Sequence, residues 1–147
     1  VFAAANFAVY NATKFAVVGL SETLRLELAP LNIGVSVLFP GPTRTSMMAN
    51  AGKLSPYKVE QRSGPARAGF TVAYQTPDEV AAKVVEAVQK NRFFIFSHPE
   101  YRPILEARHA AMMASLAPAS DEAVENIRQV EAATLAAYDE LIRTEGA

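Results

Sequence analysis

The chain has 147 residues, enough for one ordinary domain with one core. Half of the residues are hydrophobic and a fifth are charged, and a formal net charge of −1 offers no global attraction to nucleic acid or an anionic membrane surface. There is no cysteine, which excludes disulfides, thiolate metal sites and a cysteine nucleophile and suits a reducing cytoplasm.

No apolar run approaches the roughly 20 residues that cross a bilayer. The opening stretch from Val1 to Val9 is apolar, but it lacks a basic leader and Asn6 interrupts it, which argues against a signal peptide.

Residues 8–29 read as a helix. Val17, Leu20, Leu24, Leu28 and Leu31 recur at steps of three and four, with Glu22 and Arg25 off the stripe. Ala12, Ala16 and Gly19 form a second stripe of small residues that a neighbour could approach closely. Pro30 ends the helix, because the residue before a proline is pushed out of the α region. A turn follows in which Asn32 or Gly34 can take positive φ. Val35–Phe39 is short, apolar and rich in β-branching, as a buried parallel strand requires, and Pro40-Gly41 stops it.

Residues 43–75 contain Gly52, Pro56, Gly64, Pro65 and Gly69, which break any long element. The pattern predicts a short helix near 44–50 and then an irregular loop of the kind that serves as a lid or binding segment. Thr76-Pro77-Asp78-Glu79 is a helix start, with Thr76 as N-cap, Pro77 in the first turn and Glu79 at the capping-box position. Val80, Ala81, Val84, Val85 and Val88 give its buried face. Asn91-Arg92 ends it, and Phe93–Phe96 reads as a second buried strand. Pro99 opens a helix to about Leu116, with Tyr101, Ile104, Leu105, Arg108 and Met112 on one side. Ser120 caps a last helix to about Thr144, whose apolar face (Val124, Ile127, Thr134, Tyr138, Leu141) is thin. Strands alternating with helices indicate a parallel α/β sheet, and two strands are too few for a stable one.

Tyr10 and Lys14 stand four residues apart and therefore share a helix face. A cation about 6 Å from a phenol oxygen, at an effective dielectric near 20, favours the phenolate by about 3 kcal/mol. That directs the tyrosine toward acid/base work. Taken alone, the spacing fits a surface Tyr and Lys on an ordinary helix equally well.

The context decides. Tyr10-Asn11-Ala12-Thr13-Lys14, followed by Phe-Ala-Val-Val-Gly-Leu-Ser-Glu-Thr-Leu-Arg-Leu-Glu-Leu, resembles the active-site helix of short-chain dehydrogenases/reductases. In that family a strand ending in Pro-Gly and then a threonine follows about 25–30 positions later. Here Val35-Ser36-Val37-Leu38-Phe39-Pro40-Gly41-Pro42-Thr43-Arg44-Thr45 matches in spacing and content. The likeness covers residues 1–97 well and the tail only loosely.

The resemblance implies an α/β fold, the C-terminal part of a Rossmann-like doubly wound parallel sheet (residues 1–97) with a helical extension (98–147). It implies an NAD- or NADP-dependent oxidoreductase of the single-domain branch that interconverts an alcohol and a ketone or aldehyde. Tyr10 is then the general acid/base. Lys14 assists it and holds the nicotinamide ribose. The turn at Pro40 and Gly41, the backbone of Thr43 and the hydroxyl of Thr45 bind the cofactor. An epimerase or dehydratase of the extended branch uses the same pair, but the tight Pro-Gly-Pro-Thr-Arg-Thr segment favours the former.

The family's Gly-rich phosphate loop has no counterpart here, and its catalytic serine, roughly thirteen residues before the tyrosine, falls four positions upstream of Val1. The expectation is a chain truncated at its N-terminus and inactive by itself. A non-catalytic binding or oligomerising module is the alternative. Family practice also implies a homodimer or homotetramer built on the first helix.

Lesser signals receive plainer readings. His98 and His109 lack further ligands at metal spacing, so no metal is expected and both are read as structural or surface residues. Lys53, Lys58, Arg62 and Arg67 read first as a solvated basic loop. Met47, Met48, Leu54, Tyr57, Phe70 and Tyr74 give that loop an apolar side, which fits a lipophilic substrate or ordinary packing.

Overall fold

The computed structural model describes residue 3, residues 7–46, residue 50 and residues 73–143. Helix α1 (Ala8–Leu28) leads through a 3-10 turn (Ala29–Leu31) to strand β1 (Val37–Phe39). After residue 73 come helix α2 (Pro77–Gln89), strand β2 (Phe94–Phe96), a 3-10 turn (Pro99–Tyr101) and helices α3 (Arg102–Ala114), α4 (Asp121–Val130) and α5 (Ala132–Arg143). The two strands pair in parallel, Val37 with Phe94, Leu38 with Ile95 and Phe39 with Phe96. The fold is mixed α/β with helices around a parallel pair.

The core is small and aromatic. Val37 and Phe93 are its buried centre, with Val35, Phe39 and Phe94 packed against them. Phe39 stacks on Phe96 with ring centroids 4.7 Å apart, a contact along the strand pair that adds to simple burial.

Local chemistry sets the boundaries. Asn32 takes the left-handed conformation (φ 57°) and closes the turn after Pro30. At α2 the capping box is complete: Glu79 N–H donates to Thr76 Oγ1 at 3.3 Å, and Thr76 N–H donates to the Glu79 carboxylate at 2.6 Å. The bond from the Thr76 amide first, and a second from the Thr76 hydroxyl to the same carboxylate oxygen at 3.0 Å, hold the Glu79 carboxyl below its ordinary value of 4.5.

Several expectations need correcting. The most buried residue of α1 is Arg25, whereas Val17, Leu20 and Leu31 of the apolar stripe are exposed and only Leu24 and Leu28 are half-buried. Arg25 is inward because three acceptors await it. Its guanidinium donates to Asn91 Oδ1 (2.6 Å), the Asn91 carbonyl (3.1 Å) and the Val35 carbonyl (3.3 Å). On α2 the inward residues are Val80, Ala87 and half-buried Val84, while Ala81, Val85 and Val88 are exposed, because the narrow sheet covers only one edge of the helix. Of the helix expected near 44–50, Asn50 is helical and its amide donates to the Ser46 carbonyl at 2.9 Å. Residues 44 and 45 are not helical, since the Arg44 amide is committed to the Gln75 carbonyl at 2.9 Å. The last helix bends at Glu131, whose backbone (φ −102°, ψ 17°) leaves the helical region and separates α4 from α5.

Arg25→Met should destabilise the protein by about 1–3 kcal/mol in urea unfolding, because it removes the three part-buried hydrogen bonds that the guanidinium makes to Val35 and Asn91. A loss within error of zero would remove Arg25 as the anchor. Depressed Glu79 ionisation contributes stability that is present above the carboxyl's unfolded value and is lost as pH falls through the folded one. Glu79→Gln should therefore flatten the fall in melting temperature below about pH 4.5. An unaltered pH profile would mean that the capping carboxylate is not coupled to folding.

Candidate active site

Two groups of side chains stand out, one on the first turns of α1 and one where the strands end. Tyr10 lies in the first turn of α1, half-exposed, with its ring edge-to-face against Phe7 at 6.1 Å. Lys14 follows one turn later, and its ammonium sits 5.3 Å from the centre of the Tyr10 ring. The helix thus joins the two residues as the spacing predicted. Thr13 returns its hydroxyl to the Tyr10 carbonyl at 2.7 Å, and the Asn11 amide bonds to the Phe7 carbonyl at 2.7 Å, so the first turn is held closed around the pair. The neighbouring Phe15 carries the guanidinium of Arg108 from α3 over its ring at 5.4 Å.

The second group lies at the carboxyl ends of β1 and β2, the edge where open α/β sheets bind ligands. Beyond β1 the chain bends at Pro42 and reaches Thr43, which forms a parallel bridge with Gln75. The Gln75 amide donates to the Pro42 carbonyl at 3.1 Å and the Arg44 amide to the Gln75 carbonyl at 2.9 Å. This pattern turns Thr43's own N–H and C=O to the opposite side from Gln75. One donor and one acceptor side by side match a carboxamide. The Thr43 hydroxyl closes back on the Gly41 carbonyl at 3.0 Å. Pro40 and Thr45 are exposed and Gly41 is half-buried.

The backbone of Gly41 is outside the left-handed region, so conformational freedom is not what is needed there. A Cβ at this position would come closer than 3.0 Å to ring atoms Nδ1, Cγ and Cε1 of His98. The missing side chain makes room for an imidazole of the protein itself.

Sequence reasoning passed over this partner set. Ser97 and His98 are buried to 0% and 2% exposure. The Gly41 amide donates to Ser97 Oγ at 2.9 Å, Ser97 Oγ lies 2.7 Å from His98 Nδ1, and His98 Nε2 lies 3.0 Å from the Ala73 carbonyl. A carbonyl only accepts, so the ring hydrogen sits on Nε2 and Nδ1 accepts from the serine hydroxyl. The Ser97 carbonyl in turn receives Gln75 Nε2 at 2.8 Å and Lys83 Nζ at 2.5 Å. Gln75 Oε1 is buried and has no hydrogen-bond partner. A Ser–His contact is the geometry of an activated nucleophile, but these residues are sealed from any substrate. The signal that could have found them is their position: polar residues directly after a buried strand, as Pro40-Gly41 follow the other.

His98 is thus structural, as expected, and His109 is exposed on α3. No group of three or more His, Asp or Glu residues able to hold a metal occurs among the described residues. Met47, Met48, Lys53, Leu54, Tyr57, Lys58, Arg62, Arg67 and Phe70 lie outside the described residues; Tyr74 is within them and exposed. No helix among the described residues is long and apolar enough to cross a membrane.

Comparison with known proteins identifies the family. The family description "short chain dehydrogenase" matches residues 1–55. The chain is 30% identical over 122 residues to a CLA biosynthesis dehydrogenase/reductase of Lactiplantibacillus plantarum, covering 74% of this chain and 43% of that one. It is 35% identical over 87 residues to the 3-ketodihydrosphingosine reductase of Mus musculus (58% and 24%). With the (-)-trans-carveol dehydrogenase of Rhodococcus erythropolis it shares 33% over 92 residues (63% and 33%). A solved chain described as a short-chain dehydrogenase from Novosphingobium aromaticivorans superposes with a TM-score of 0.65 at 30% identity, over 97% of this chain and 44% of that one. The chain belongs to the short-chain dehydrogenase/reductase family. It spans less than half the length of these relatives.

Gly41→Ala should lower stability by about 1–3 kcal/mol, as overpacking does, measured by urea unfolding. Pairing it with His98→Ala should recover part of that loss. If the double variant is simply the sum of the singles, the ring is not what Gly41 accommodates.

Proposed function

We propose that the chain supplies the catalytic half of an NAD(P)-dependent oxidoreductase that interconverts an alcohol and a ketone or aldehyde. The observation that carries this reading is the Tyr10–Lys14 pair, held on one helix face with the ammonium 5.3 Å from the ring centre. Residues 1–97 are read as the C-terminal part of a doubly wound dinucleotide-binding sheet, with 98–147 as its helical extension. Two parallel strands and less-than-half coverage of the relatives support that placement.

In the reduction direction, the Tyr10 hydroxyl donates its proton to the carbonyl oxygen as alkoxide charge develops. In oxidation, the phenolate takes that proton back. Lys14, one turn along the same helix face, would hold the ribose side with its ammonium. The N–H and C=O of Thr43 would hold the carboxamide, the turn at Pro40 and Gly41 would support that edge, and Thr45 would serve the pyrophosphate side. The nicotinamide, when bound, supplies or accepts the hydride.

Substrate class follows more loosely. Two relatives are named for a ketone and an alcohol, a 3-ketodihydrosphingosine reductase and a carveol dehydrogenase, which supports a small carbonyl or alcohol substrate here. Its lipophilic character rests on the apolar loop residues of the sequence alone. Assembly as a homodimer or homotetramer through α1 is supported by the exposed stripe of Ala12, Ala16 and Gly19, with nothing within 4 Å of a Cβ at Gly19. A cytoplasmic place belongs to the same proposal.

In the complete protein, Tyr10→Phe should reduce turnover by at least about a hundredfold and alter cofactor affinity less than about threefold. Unchanged turnover would remove Tyr10 from its role. Failure of the unsubstituted protein to bind either nicotinamide cofactor would favour a non-catalytic module instead.

A further inference from the structure

We propose that Ser97 and His98 are positioning residues that fix the Gly41–Thr43 backbone at the height needed to receive the nicotinamide carboxamide, an inference that rests on the oxidoreductase reading above. Neither side chain faces a ligand, since both are buried. Their effect runs through the main chain of the turn after β1.

Three constraints meet there. The Gly41 amide is pulled toward β2 by Ser97 Oγ at 2.9 Å. The Ser97 hydroxyl has its own hydrogen directed at His98 Nδ1, 2.7 Å away, which leaves its lone pairs facing the amide. The His98 ring then lies where a Cβ of Gly41 would be, so the turn can move neither toward the ring nor sideways off the serine. His98 is oriented in turn by the Ala73 carbonyl at Nε2. The Ser97 main chain is held from the other side by Lys83 of α2 and by Gln75.

Gln75 ties this relay to the recognition edge itself, because it pairs with Thr43 and turns that residue's N–H and C=O away from itself. Loss of the Ser97 acceptor frees Gly41, two residues before the Thr43 amide. A displacement of about 1 Å there is enough to spoil a paired donor and acceptor. Simple packing by Ser97 and His98 would destabilise the fold without preference for one part of the cofactor.

The test uses the complete protein and reads binding rather than turnover. Affinity for reduced cofactor is followed by nicotinamide fluorescence, and affinity for the matching ADP-ribose moiety, which lacks the nicotinamide, by competition. Ser97→Ala should weaken the reduced cofactor about tenfold and leave ADP-ribose within about twofold. Two further variants separate the ends of the imidazole. His98→Asn offers a polar atom at the Nδ1 position and should bind close to the unsubstituted protein. His98→Gln offers one only at the Nε2 position and should behave like Ser97→Ala.

The His98 pair keeps the test decisive if Ser97→Ala does not fold. Equal weakening of both ligands, equal behaviour of the two His98 variants, or unchanged binding throughout would overturn the positioning role while the oxidoreductase reading stands. If the unsubstituted protein binds neither ligand, both fall together.

Discussion

Arg25 is a cation inside a protein with a small core, and its three acceptors lie where the chain enters its two strands. Val35 leads into β1 and Asn91 leads into β2, so one guanidinium sets the starting heights of both strands relative to α1. Desolvating a guanidinium costs several kcal/mol, and only well-aligned acceptors offset it. Asn91 meets that demand by adopting φ 53°, which asparagine tolerates better than most residues. Gly34 completes the joint, because a Cβ there would collide with the Asn91 amide.

Strands of three residues transmit such a constraint with little slack. Once Val37 is in register with Phe94, Phe39 faces Phe96, and the segments beyond must leave the sheet side by side. Pro40-Gly41 and Ser97-His98 are those segments. The hydrogen bond from Gly41 to Ser97 continues the strand pairing by other means, through a side chain rather than a carbonyl. Gln75 then enters as a third parallel segment at Thr43. The order imposed at one end of the strands by Arg25 thus reaches the backbone edge at the other.

Much of this was legible in the sequence because it is local. Ala29 stays in the α region (φ −55°, ψ −43°) and Pro30 lies within the 3-10 turn that follows. It is therefore left-handed Asn32, not the proline's effect on the residue before it, that ends the first helical segment. Thr76 with Glu79 begins the next by a reciprocal pair of bonds three residues apart. The i, i+4 relation of Tyr10 and Lys14 is likewise carried by one helix. Arg25 was misplaced because helical periodicity assigns charged residues outward, and its acceptors lie far along the chain. Val85 and Val88 were placed inside because an apolar stripe was assumed to be wholly covered, whereas the sheet reaches only Val80, Val84 and Ala87. Arg44 and Thr45 were given to a helix because nothing local reveals that Gln75 will claim the Arg44 amide. The bend at Glu131 has no proline or glycine to announce it. Gly41 shows the same divide: the sequence marks it as a strand stop, and the ring that fills the space beside it is known only from the fold.

Recognition by backbone is what the proposed reading assigns to the strand end. An N–H and a C=O are present at every residue except proline, so the identity of residue 43 matters less than where its peptide groups point. Specificity for a planar donor–acceptor pair then depends on the residues that fix direction, and these need not touch anything bound. In this chain they are a glycine without room for a Cβ, a buried serine and a buried histidine, none of which carries a charge-pattern or periodicity signal. In the proposed reading, exposed Tyr10 and Lys14 contribute the reactive groups, which a motif can reveal. What aligns the second reactant against them is, in the proposed reading, a matter of main-chain height, and it is set by Ser97 and His98, whose own side chains are sealed inside the protein.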